Sequence, residues 1–201
     1  MPSIFGTTNS LGLSPSNWFS TTSLRSRMSR GKIMRLIDPN ELFSSLEQLD
    51  PAIKNKAKIP DIDATYTEFI HRYDGVSITP DIVLYGYQKV LEWNRRACGD
   101  GLPENLWLIG QSGQGDEWFL SALHKTVFFF DHDQGEYGGP ESFLDLKIDF
   151  TGFLRMGFLL SELEEKLDEG QEINEYEQEV SDLLNSIHSQ LSERYPFNYF
   201  E

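Results

Sequence analysis

The chain has 201 residues, enough for one domain with a sizeable core, and it is 39% hydrophobic and 13% aromatic. Its net charge is −15, with 32 acidic against 17 basic residues, a balance that repels nucleic acid and anionic membranes and attracts basic partners. No apolar run approaches the roughly 20 residues needed to span a bilayer, and the single cysteine, Cys98, excludes an internal disulfide and fits a reducing, cytoplasmic setting.

Residues 1–35 carry Arg25, Arg27, Arg30, Lys32 and Arg35 and no acidic residue. Their Ser-, Thr- and Asn-rich composition predicts a disordered basic extension; an organelle transit peptide and an over-extended start, with Met28 or Met34 opening the domain, are the alternatives. Residues 36–201 then form a single domain with 12 basic and all 32 acidic residues, a net of −20.

Asp38-Pro39 predicts a helix start, with an N-cap followed by Pro at the first helical position. Leu42, Phe43, Leu46 and Leu49 continue it to about Gln48. Thr65-x-x-Glu68 reads as a capping box for a second helix whose apolar face is Tyr66, Phe69, Ile70 and Tyr73. Gly75 would end it in the left-handed C′ position. Residues 82–85 read as a strand, and Val90, Leu91, Trp93 and Asn94 as a third short helix broken at Gly99-Asp100-Gly101.

The clearest β signal follows. Residues 106–109 are a buried apolar run, 116–120 read as a second strand and 127–130 as a third, separated by a Gly-rich turn and a short polar loop. Strands so close in sequence pair antiparallel, as a meander. A shorter strand is expected at 144–148. Phe150, Phe153, Leu154, Phe158, Leu159 and Leu163 predict a helix over 150–168, ended by Gly170, and Ile173 to Leu191 predict one final amphipathic helix to Arg194. The expected fold is α+β: a central, mainly antiparallel sheet flanked by helices, with a C-terminal amphipathic helix.

The motifs point away from catalysis. Gly110 and Gly115 have phosphate-loop spacing, but Asp116 stands where the loop needs Lys. A nucleophile elbow needs Gly two residues after Ser112, where Gln114 stands. A dinucleotide fingerprint needs a helix after the glycines, and a strand follows. The stretch reads as a hairpin turn whose glycines supply positive φ. Asp131-His132-Asp133-Gln134-Gly135-Glu136 is oxygen-rich, but strand alternation sets Asp131 and Asp133 on one face and His132 on the other, so a metal site would need a turn there. A Ser112, His132 and Asp131 triad can be drawn, but adjacency in sequence does not orient a base. No metal and no cofactor is expected.

Three blocks carry a family resemblance. The first is Ile59-Pro60 with Tyr66, Phe69-Ile70 and Asp74-Gly75; the second is Leu106 to Gly110, then Gly113, Gly115-Asp116 and the strand to Phe119. The third is Val127 to Phe130 with Asp131-His132-Asp133, then Phe150 and Phe153-Leu154. Over about 38–160 their order resembles the SUKH superfamily, which includes the yeast Smi/Knr cell-wall regulator group. Asp74 stands where Asn is common, and Gln114 interrupts the double glycine. The resemblance implies an α+β domain, no common catalytic constellation, and, as for many bacterial members, a role as an immunity protein that neutralises a toxin domain.

The expectation is therefore a non-enzymatic immunity protein that binds a basic toxin domain, a nuclease among the candidates, through an acidic surface. Asp116, Glu117 and Trp118 by the turn, and Asp131, Asp133 and Glu136 at the strand end, are the candidate partner-binding residues. Burial of Trp118 in the core is the competing reading. A regulatory or scaffolding adaptor, with the basic extension as a docking segment, is the alternative function, and an enzyme using the Gly-rich turn or the Asp-His-Asp stretch has the least support.

Overall fold

The structure is a computed structural model, and it describes residues 33–50, 52–54 and 56–200. The basic extension lies almost wholly outside the described residues.

Among the described residues six strands form one sheet in the order in which they occur, and every neighbouring pair is antiparallel. They are β1 (Val76–Thr79), β2 (Ile82–Leu84), β3 (Leu106–Gln111), β4 (Glu117–Ser121), β5 (Val127–Phe130) and β6 (Leu144–Asp145). Helix α1 (Ala64–Arg72) precedes the sheet, α2 (Tyr87–Gly99) joins β2 to β3, and α3 (Phe150–Asp168), α4 (Glu177–Ile187) and α5 (Leu191–Arg194) follow it. The expected α+β architecture, with its meander across 106–130, is present.

Both faces of the sheet are covered. Trp118 in β4 pairs with Phe129 in β5 and turns toward α3, where Phe153 lies 5.0 Å from its ring. Its neighbour Phe119 faces the other way and meets Tyr137 at 6.0 Å and Phe143 at 5.5 Å, both edge-on. Double coverage explains why these strands read as unbroken apolar runs; a half-exposed sheet would alternate.

Two glycines are dictated by close approach. Gly157 lies mid-helix in α3, where glycine costs about 1 kcal/mol relative to alanine. A Cβ there would stand 3.3–3.4 Å from the side chains of Ile78 and Ile82, so its absence lets α3 lie tight on β1 and β2. Gly75 adopts φ +48°, and a Cβ would meet the Gly86 nitrogen at 2.7 Å. It is not the helix C′ residue, because Tyr73 is already extended and ends α1 two residues earlier.

Asn94 is a polar residue in the interior, 4% exposed. β2 spans only three residues and leaves the start of β3 without a strand partner on that side. From α2, Asn94 fills the gap: Oδ1 accepts the Leu108 N–H at 2.9 Å, and Nδ2 donates to the Leu108 carbonyl at 2.8 Å and the Val90 carbonyl at 2.9 Å. One side-chain amide thus does the hydrogen bonding of a missing strand residue.

Several local expectations are corrected. The helix expected from Asp38 to Gln48 is a single 3-10 turn, Pro39–Glu41, followed by irregular chain. Asp38 does cap it, but the Ser44 hydroxyl bonds the Glu41 carbonyl, a local bond that competes with helix continuation. The cap of α1 is Asp63, whose side chain accepts the Tyr66 N–H at 2.9 Å; Thr65 instead pairs with Thr151, and Glu68 with Arg72. β1 is a strand that pattern reading passed over. β6 stops at Asp145, since Lys147 takes φ +62°. The final helix is broken: a 3-10 turn at Ile173–Glu175, then α4, then a reversal at His188–Gln190 with Gln190 at φ +65°, then α5. Ser186, His188 and Ser189 supply little helix propensity there.

Candidate functional site

The residues nominated from sequence cluster at one end of the sheet, where three loops are knitted together. The β1–β2 turn, Pro80-Asp81, accepts the Gly113 N–H at 2.7 Å and the Trp118 indole N–H at 2.8 Å on its two carbonyls. The β3–β4 turn is Ser112 to Gly115, since β3 runs on through Gln111. Of its glycines only Gly115 has positive φ, +109°.

Ser112 and Asp116 close this turn. Ser112 is fully buried and Asp116 is 5% exposed. The Ser112 hydroxyl donates to Asp116 Oδ2 at 2.9 Å and accepts the N–H groups of Asp116 and Gln114. The other carboxylate oxygen, Oδ1, accepts the His132 backbone N–H at 3.2 Å and bonds His132 Nδ1 at 2.7 Å. One buried carboxylate therefore ties the β3–β4 turn to the end of β5.

His132 is where pattern reading fails. β5 ends at Phe130, and Asp131 caps a 3-10 turn, His132–Gln134, by accepting the Asp133 N–H at 2.9 Å. The turn cancels the strand alternation expected to separate His132 from its neighbours. One ligand-type atom each of Asp116, Asp131 and His132 lie within 4.8 Å of one another. Both Asp116 oxygens and His132 Nδ1 are already engaged in the bonds above, so the group is satisfied as a hydrogen-bonded pair with a flanking acid.

The electrostatics follow. Burial alone would raise the Asp116 carboxyl, but hydrogen bonds from His132 and Ser112 outweigh it and hold it below the usual carboxylate range. The hydrogen bond to Asp116 raises His132, with Asp133 and Asp131 adding to the effect. The Ser112–His132–Asp131 triad does not form: the proton of Ser112 goes to Asp116 and not to an imidazole, and the hydroxyl has no exposure.

The six nominated residues separate by environment. Asp133 and Glu136 are exposed, and Asp131 is half-exposed beside them. Asp116 sits beneath as their anchor. Trp118 is wholly buried on the α3 face, so its role in this structure is packing. Glu117 is half-buried on the opposite face, where it accepts the Tyr137 hydroxyl at 2.8 Å and burial pushes its carboxyl up.

A second acidic locus lies close by and escapes sequence reading. Asp81 and Glu164 are both half-buried, and the Tyr199 hydroxyl donates to Glu164 Oε1 at 2.7 Å and lies 3.4 Å from Asp81 Oδ2. The partners are 35 and 118 residues apart in sequence, so no local pattern links them. The one available signal is the aromatic spacing of Tyr195, Phe197 and Tyr199 at the chain end.

No protein-family model, curated protein or solved structure matches the chain. Among the described residues no helix is long and apolar enough to cross a membrane.

Proposed function

We propose that this chain is a binding module of the immunity-protein type, which neutralises a basic toxin domain by presenting the acidic rim of Asp131, Asp133 and Glu136. The observation that carries the reading is the construction of that rim. Asp131 and Asp133 sit on a turn already locked from below by Asp116, His132 and Ser112, and the exposed Glu136 follows directly after its cap, Gly135. Such preorganisation lowers the entropy lost on binding. The domain as a whole, at −20 over residues 36–201, adds a long-range field that steers a cationic partner and repels nucleic acid. A nuclease toxin grips phosphates with basic side chains, so an acidic protein of this kind would cover its working surface.

The test is to search the neighbouring genes for a toxin domain and to co-express the chain with any found there, followed by binding kinetics. Survival of the cells supports the reading. Asp131→Lys, Asp133→Lys and Glu136→Lys together should slow association about tenfold or more at low ionic strength, with the difference shrinking as salt is added. Death of the cells despite soluble expression, or a triple variant that associates as fast as the parent, would refute it.

A further inference from the structure

After α5, residues 195–200 cross the α3 face of the sheet as a strap. Tyr195 stacks on the Trp118 indole with ring centroids 6.5 Å apart and 7° between planes. Phe197 meets Trp118 at 6.2 Å and Phe129 edge-on at 5.5 Å. Tyr199 closes the strap on Glu164 and Asp81. The backbone adds little: among the described residues, Pro196 to Phe200 make one backbone hydrogen bond, from the Phe200 N–H to the neighbouring Asn198 side chain.

The strap leaves its groove incompletely satisfied. Burial raises both Asp81 and Glu164, the Tyr199 hydrogen bond only partly offsets this, and Asp116 and Asp168 add further negative charge around them. Among the described residues no Lys, Arg or His lies within salt-bridge range of either carboxylate. The Tyr195 hydroxyl points at the same place. Tyr195 is 8% exposed, and its hydroxyl, which faces Asp81 and Glu164, has only the Tyr199 hydroxyl to bond. Arg194 Nε, at the root of the strap, is buried without a hydrogen-bond partner. A site that sets two phenols, and among the described residues no cation, against two half-buried carboxylates is built for a better donor.

We propose that the strap is a displaceable occupant of a recognition groove, which takes from the partner a segment with an aromatic side chain on Trp118 and Phe129 and, two residues later, a Lys or Arg between Asp81 and Glu164. The spacing is that of Phe197 and Tyr199 themselves. A cation in place of the Tyr199 hydroxyl would form charge-assisted hydrogen bonds, roughly twice as strong as neutral ones. The inference rests on the reading of the protein as a binding module and adds the chemistry of the segment bound.

The experiment uses two synthetic, fluorophore-labelled peptides of residues 194–201, one with Tyr199→Arg and one with Tyr199→Glu. Anisotropy titrations follow binding to the full chain, to a chain ending at Tyr195, and to the full-length Phe197→Ala/Tyr199→Phe variant. Either opened chain should bind the Arg peptide about tenfold more tightly than the Glu peptide, and more tightly than the intact chain does. Adding Asp81→Asn and Glu164→Gln to the opened chain should bring the two peptides within about twofold of each other. The proposal is overturned if no cooperatively melting opened chain binds the Arg peptide, if the Asn/Gln changes leave its preference intact, or if neither opened chain folds, since the strap is then not displaceable. No toxin is present in this assay, so its failure leaves the rim open to its own test, and failure of the rim variants leaves the peptide result readable.

Discussion

Replacing Asn94 by Leu tests whether a side-chain amide completes the sheet. Leu keeps the branched shape of Asn but has bulkier methyl groups and no polar atoms, so the Leu108 N–H and carbonyl lose their partners at 2.9 and 2.8 Å and any crowding adds to that loss. Both lie in the interior, since Leu108 has no exposure and Asn94 is 4% exposed. Each orphaned buried group costs about 1–3 kcal/mol, so the pair should cost about 2–6 kcal/mol. For a domain of this size that is a fall of roughly 5–20 °C in Tm. Thermal and chemical denaturation give the total, and hydrogen exchange at the Leu108 amide localises it: protection there should drop well beyond the global loss. A variant that loses less than about 1 kcal/mol with the Leu108 amide still protected would show that water or a shifted backbone replaces the amide, and the argument would fail.

Further expectations follow from the same geometry. Trp118→Ala should destabilise by about 3–5 kcal/mol in denaturant titrations, as expected of an indole roofed by α3 and the strap; a loss near zero would return Trp118 to the surface. Gly157→Val should cost about 1–3 kcal/mol, because its Cβ would already stand 3.3–3.4 Å from Ile78 and Ile82; circular dichroism melts decide this. The Asp116–His132 pair gives a signed pH effect. Asp116 lies low, so its contribution is present above the ordinary carboxylate range and fades as pH falls through its folded value. His132 lies high, so its contribution is full below about pH 6.5 and fades as pH rises through its folded value. The Tm difference between the parent and His132→Asn should therefore be largest at about pH 5–6 and narrow as pH rises through the raised folded value of His132; a difference that stays flat from acid to alkaline pH would refute the pairing.

How much of this was legible in the sequence depends on the physics of each element. β3, β4 and β5 were readable because burial on both faces leaves continuous apolar runs between turn residues. The same burial hid which way Trp118 points, since alternation between polar and apolar faces is what assigns a side. α3 matched its expected limits, 150–168, because Asp149 caps it and its apolar periodicity is sustained. β1 was missed because four residues, Val76 to Thr79, are too few to carry a period. In the site, acidic clustering was visible, but the contact of Asp116 with His132 needs a 3-10 turn placed against a hairpin sixteen residues away. The strap's union with Asp81 and Glu164 is a product of tertiary packing alone.

The roof over Trp118 has a consequence for biosynthesis. Its hairpin with β5 needs only neighbouring chain, so the sheet can begin to zip early. Phe153 in α3 is made later, and Tyr195 and Phe197 later still. During translation the indole and Phe129 lack their full cover until those segments have emerged, a window in which a hydrophobic sheet face is open to wrong partners or to a holding chaperone. Residues 195–197 thus decide when this face ceases to be sticky.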